Sequence, residues 1–139
     1  MPPIAFSVTL PFPFSKTLEH VTEALKAEGF GILTTIDVKA TLKNKLNVDF
    51  RPYQILGACN PPLAHRALSS DARVGLLLPC NVVVEEVEEG TRVSFLNPEA
   101  ALTIGDLAEN EEVRQVAAEA KARLQRVAEA LSQLVAEGV

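Results

Sequence analysis

Cys59 and Cys80 are the residues of this chain best suited to covalent or metal chemistry, and each is followed by asparagine, in GACNPPLAHRAL (57–68) and LLLPCNVVVEE (76–86). A thiol just ahead of a helix start, where Cys59 lies, feels the positive end of the helix dipole, which lowers its pKa and raises its reactivity. Cys80 follows Pro79 in an apolar run, a setting typical of a buried thiol that packs as a small hydrophobe. If the two segments are neighbouring strands, the thiols can form a redox pair or hold a soft metal with His65 as third ligand. Cys59 and His65 stand six positions apart and no CxxC occurs, a spacing unlike compact zinc motifs, so no metal is expected. The plainer reading is two free packing cysteines, since a reducing compartment opposes a structural disulfide.

Asn60, Pro61 and Pro62 read first as a helix start. The Asn60 side chain is placed to accept the backbone N–H of Leu63, and the prolines remove the donors of the first two helical positions. Little donor capacity is left there for a phosphate. His65 and Arg66 follow on that helix, where a surface role suits the histidine. His20, between Glu19 and Val21, reads as part of a solvated helix face. Glu85, Glu86, Glu88 and Glu89 cluster at a hairpin and read as a solvated end. Glu85 and Glu86 nonetheless fall on opposite faces of one strand, so an inward-pointing member would need a partner. No Ser-His-Asp order, nucleophile elbow, glycine-rich phosphate loop or HExxH is present, and no catalytic residue or cofactor is assigned.

These residues must be held by elements that the patterning predicts. Ile4, Phe6, Val8 and Leu10 alternate with smaller residues as in a half-buried strand. Ser15 is a candidate cap for a helix carrying Leu18, Val21 and Leu25, with Gly29 to end it. GILTTIDV alternates again, with Ile32, Thr34, Ile36 and Val38 on one face. Leu42 and Leu46 then continue a four-residue spacing among Lys39, Lys43 and Lys45, predicting a short helix or turn with a basic face. PYQILGA reads as a third strand. PPLAHRALSS reads as a short helix offering Leu63, Ala64, Ala67 and Leu68 for burial. VGLLL and NVVVEEV read as one strand interrupted at Pro79 or two in sequence, and EEG turns the chain into TRVSFL as a hairpin return.

From Glu111 to about Glu137 runs the strongest periodic signal, with Ala117, Ala120, Leu124, Val127, Leu131 and Leu134 spaced alternately by three and four. That is an apolar seam on a helix about 40 Å long at 1.5 Å per residue. It predicts a helix packed across the sheet, with a seam shared with a second subunit as the alternative. Glu111 and Glu112 suit its first turn, and Glu119 is placed to pair with Arg123.

At 139 residues, 47% apolar and 22% charged, the chain suits one globular domain over 1–139, with a core at about 4–97 and the helix at about 111–137. Its net charge of −5 opposes binding to nucleic acid. The acidity is uneven: residues 1–97 hold 9 basic and 10 acidic groups, and 98–139 hold 4 and 8. The apolar run from Val74 to Val84 is broken by Pro79 and Asn81 and falls short of the roughly 18 residues of a membrane span. The N-terminus has no basic leader segment, so a cytoplasmic protein with no membrane partner is expected.

An amphipathic helix ending in GF, a strand, an LG-x-CNP turn, then G-LLPC-VVVEE and a strand ending at Asn97 and Pro98 follow one another in an order that resembles the DUF302 family of bacterial and archaeal proteins. The resemblance spans about residues 4–137. It implies an α+β fold of the TATA-binding-protein-like class, a curved antiparallel sheet against a long C-terminal helix with additional short helices, and a homodimer. The signature positions map to Gly57, Cys59, Asn60, Pro61, Pro79 and Cys80, with Pro62 beside them, and bring no catalytic assignment. The function expected is that of a dimeric binding or accessory domain, with a small molecule held near Cys59 and Cys80. A thiol-based redox or metal-handling protein using the two cysteines is the first alternative. An interaction module working through the C-terminal helix is the second.

Overall fold

The computed structural model describes residues 2–138; the two terminal residues of the expected 1–139 domain lie outside that range. Ala5–Leu10 forms β1, Gly31–Asp37 β2, Tyr53–Cys59 β3, Cys80–Val87 β4 and Gly90–Leu96 β5. They make one open sheet in the order β1-β5-β4-β3-β2, with every neighbouring pair antiparallel. Helices α1 (Phe14–Ala27), α2 (Val38–Leu46), α3 (Pro61–Ser70), α4 (Pro98–Ala101) and α5 (Glu111–Ala136) fill the connections and the C-terminal end. The α+β architecture with a long C-terminal helix is therefore as the sequence implied. None of the described helices is long and apolar enough to cross a membrane.

Strand register decides which side of the sheet is the core. Phe6 and Val8 of β1 face Phe95 and Val93 of β5, which in turn face Val82 and Val84 of β4. Leu56 and Ala58 of β3 extend the same face. Against it lie Val21 and Leu25 of α1 and Leu124, Val127 and Leu131 of α5, which with the strand residues make one apolar cluster. A second, smaller cluster joins Leu63 and Ala67 of α3 to Val113, Val116, Ala117 and Ala120 of α5, with Val74, Leu102 and Leu107. The helix α5 thus runs through both.

That packing settles the seam. Ala117, Ala120, Leu124, Val127 and Leu131 are buried inside the monomer, so they are not an exposed surface for a partner, contrary to the interaction-module alternative. The sheet and α3 bury this apolar stripe. Asn110, unread in the sequence, caps α5 by accepting the N–H of Val113 at 3.0 Å. Glu119 pairs with Arg123 as the spacing predicts.

Three local expectations are corrected. Ser15 does not cap α1; the helix begins at Phe14 after Pro13, whose fixed φ makes the entry without a side-chain hydrogen bond. VGLLL is not a strand but part of a 3-10 turn over Ala72–Leu77, started by the Asp71 carboxylate accepting the N–H of Arg73 at 2.9 Å. Asp71 and Arg73 also pair through their side chains, which holds the Asp71 carboxyl down at about 2. In β2 a bulge between Ile32 and Thr34 breaks the alternation, and Ile36 is left on the exposed side.

The carboxylate cluster also divides. Glu85 is buried and receives hydrogen bonds from Arg51 at 2.9 Å and Arg92 at 3.3 Å, so it is not part of a solvated end. Its strand places it on the side of the sheet away from α1 and α5, beside Arg92 in register. Arg51 is further stacked over Phe50 and Tyr53, which ties the 48–52 loop to the sheet.

Candidate functional site

The two Cys-Asn segments meet because β3 and β4 are hydrogen-bonded neighbours. Ala58 lies opposite Cys80 and Gly57 opposite Asn81, which puts Cys59, the last residue of β3, beside the first residue of β4. Asn60 then turns the chain into α3. Its Oδ1 accepts the N–H of Leu63 at 3.2 Å and its backbone carbonyl accepts that of Ala64 at 2.9 Å, with Pro61 and Pro62 in the first two helical positions. The helix start read from the sequence is the structure observed. Between the strand ends, α3 and α5 lies a space.

That space is a cavity of about 270 Å³. Ala58, Cys59, Pro79 and Cys80 form its strand side, Leu63 and Ala67 of α3 one wall, and Val116 and Ala120 of α5 another. Phe30, Leu78 and Leu102 close it further, and Leu33 and Leu68, both solvent-exposed, stand among the lining residues. Asn60 contributes the amide of an otherwise apolar and thiol-bearing lining. Gly57 is part of the construction although it does not line the space. A Cβ there would stand 2.2 Å from Thr34 Oγ1 and 2.7 Å from Pro79 Cγ, so its bareness lets Pro79 lie down on β3 next to the cavity.

Both thiols are free, Cys59 half-buried and Cys80 buried. Burial pushes the Cys59 thiol up, because loss of water opposes the thiolate, where the helix start was expected to lower it. Burial, with a smaller contribution from the neighbouring Cys59, pushes Cys80 up to about 11. At neutral pH the pair is protonated. Cys80 shares the sheet face of Ala58, with which it is paired, whereas Cys59, one residue further along β3, falls on the other face by strand alternation.

His65 is exposed on α3 and is not among the lining residues, so the cavity brings together Cys59, Asn60 and Cys80 but not the histidine. Its neighbour Arg66 reaches Glu112 at 2.7 Å. Among the described residues no group of three or more His, Cys, Asp or Glu side chains is placed to hold a metal ion. His20 departs from the solvated face expected of it. Its ring lies 5.5 Å from that of Phe12 and its Nε2 is buried without a hydrogen-bond partner. The walls given by Phe30, Leu102 and Val116 were not read from the sequence as part of a site. Nothing in their types distinguishes a cavity wall from ordinary core.

The family model described as "Domain of unknown function DUF302" matches residues 6–131. The chain belongs to the DUF302 family. No curated protein matches this DUF302 chain. Among solved structures it is similar to the crystal structure of an uncharacterized conserved DUF302 protein from Bacillus stearothermophilus. The two are 29% identical with a TM-score of 0.82 over 92% of this chain and 98% of the other. The DUF302 fold is thus shared across nearly the full length of both.

Proposed function

We propose that this DUF302 protein is a small cytoplasmic binding or accessory protein, homodimeric, that holds an uncharged apolar ligand between the ends of β3 and β4 and the helices α3 and α5. The observation that carries the reading is the cavity itself, an apolar space whose lining residues include Asn60 and the two cysteines. The space of about 270 Å³ among Leu, Val and Ala side chains is a cleft open to solvent, with the exposed Leu33 and Leu68 in its lining. Engineered apolar cavities of roughly 150 Å³ bind benzene, so this volume suits a bicyclic aromatic or a medium-length hydrocarbon chain. A buried carboxylate on the ligand would lack a cationic partner among the lining residues, which favours a neutral group inside with any polar end at the mouth.

N-phenyl-1-naphthylamine, a neutral fluorophore that brightens in apolar surroundings, tests the reading. Saturable binding of one probe per chain is expected, weakened at least tenfold by Ala120→Phe, which fills the space from α5. Circular dichroism checks that the variant keeps its fold. Equal binding by the folded variant, or no binding by the unaltered protein, overturns the proposal.

A further inference from the structure

The Asn60 side chain has two polar arms, and the helix start uses one of them. Oδ1 accepts the N–H of Leu63 at 3.2 Å, which fixes the orientation of the amide and leaves Nδ2, with its two N–H donors, as the other arm. Among the described residues Nδ2 has no acceptor, although Asn60 is only 7% exposed. Nor is Nδ2 one of the side-chain atoms sealed from solvent without a partner, which are Thr17 Oγ1 and His20 Nε2. It lies beside Gly29, where a Cβ would stand 3.0 Å from it, and the next residue, Phe30, lines the cleft together with Asn60. The cation on that side, Arg123, is already engaged: Nη1 donates to the Glu28 carbonyl and Nε to Glu119, each at 3.0 Å.

Solvent satisfies such donors until a ligand enters. A hydrocarbon that fills the cleft strips that water and leaves the N–H groups bare, whereas a ligand oxygen placed there takes over the hydrogen bond. We propose that Asn60 is a specificity-determining residue of the cleft, donating from Nδ2 to the carbonyl oxygen of a neutral, otherwise apolar ligand such as an aryl ketone or a medium-length aldehyde, ketone or ester. The inference rests on the cleft being an apolar-ligand site and names the functional group its ligand carries. A carbonyl suits the position because it accepts a hydrogen bond without asking for a donor's partner in return. A carboxylate does not, since no lining residue is cationic and Arg123 is paired with Glu119.

2-Acetylnaphthalene and 2-ethylnaphthalene, closely matched in shape, test it by displacing N-phenyl-1-naphthylamine from the unaltered protein and from Asn60→Ala. The readout is the ratio of their two dissociation constants within one protein, because loss of the helix cap weakens both ligands alike and cancels. That ratio is expected to move about tenfold against the ketone in Asn60→Ala. Infrared spectra give a second measurement that stands even where the variant fails to fold: the carbonyl stretch of the ketone bound to the unaltered protein should lie below its position in hexane. An unmoved ratio, a carbonyl stretch that stays at its hexane position, or a ketone that does not displace the fluorophore overturns the inference. In each of those cases fluorophore binding that Ala120→Phe weakens leaves the apolar-ligand reading standing, whereas no fluorophore binding at all removes both.

Discussion

Cys80 and Gly57 show how much a single residue here depends on what surrounds it. The folded-state pKa of Cys80, about 11, lies above the 9.0 of a free thiol. Below pH 9 the thiol is protonated in both folded and unfolded chains and the shift costs nothing. Between pH 9 and 11 the unfolded chain releases the proton while the folded one retains it, so stability falls across that window. The loss approaches about 2 to 3 kcal/mol at the upper end. Urea titrations from pH 8 to 11 should show a steeper decline for the unaltered protein than for Cys80→Ala. Parallel curves would mean the thiol is not held protonated by the fold. At Gly57, a methyl group meets Thr34 Oγ1 and Pro79 Cγ at distances no Cβ tolerates. Gly57→Ala is therefore expected to lose about 1 to 3 kcal/mol in denaturant unfolding, and a neutral effect would show that Pro79 moves aside freely. The glycine was singled out in the sequence. What it makes room for was not, because Thr34 and Pro79 are brought there by strand pairing.

At the scale of elements, α5 was legible because its period of three and four names one apolar stripe, and the structure buries that stripe. Its cap was not, since Asn110 is one of several polar residues in the 103–110 stretch and only the hydrogen bond to Val113 distinguishes it. The two features differ in worth. Leu124, fully buried between the sheet and α1, is expected to cost about 2 to 5 kcal/mol when cut to alanine. Asn110→Ala should cost about 1 kcal/mol. Chemical denaturation of both variants checks the ratio, and a cap loss as large as the core loss would mean that α5 is held by its end rather than its face. The segment VGLLL illustrates the opposite case. Five apolar residues suit a buried strand or a turn packed on a core alike. The Asp71 carboxylate and the packing of Val74 against α3 and α5 favour the turn.

Over the whole molecule, α1 and α5 cover one side of the sheet, and the other carries a cross-strand row in which Ile36, Ile55 and Val83 lie side by side on β2, β3 and β4. The row supplies an apolar surface for the homodimer proposed above. Ile55→Glu is expected to halve the mass seen by sedimentation while leaving the circular dichroism intact. An unchanged dimer would move the interface elsewhere, and a monomeric unaltered protein would end the proposal. The sequence by itself determined the α+β class, the long C-terminal helix, the helix start at Asn60 and the family, because alternation, helical spacing and proline placement act over a few residues. The tertiary structure decided that Cys59 and Cys80 share a cavity, that their thiols stay protonated, that His65 stands apart from them and that Glu85 is buried between two arginines. Those facts depend on the register of β3 against β4 and on water excluded by α3 and α5, and both arise between residues distant in the chain.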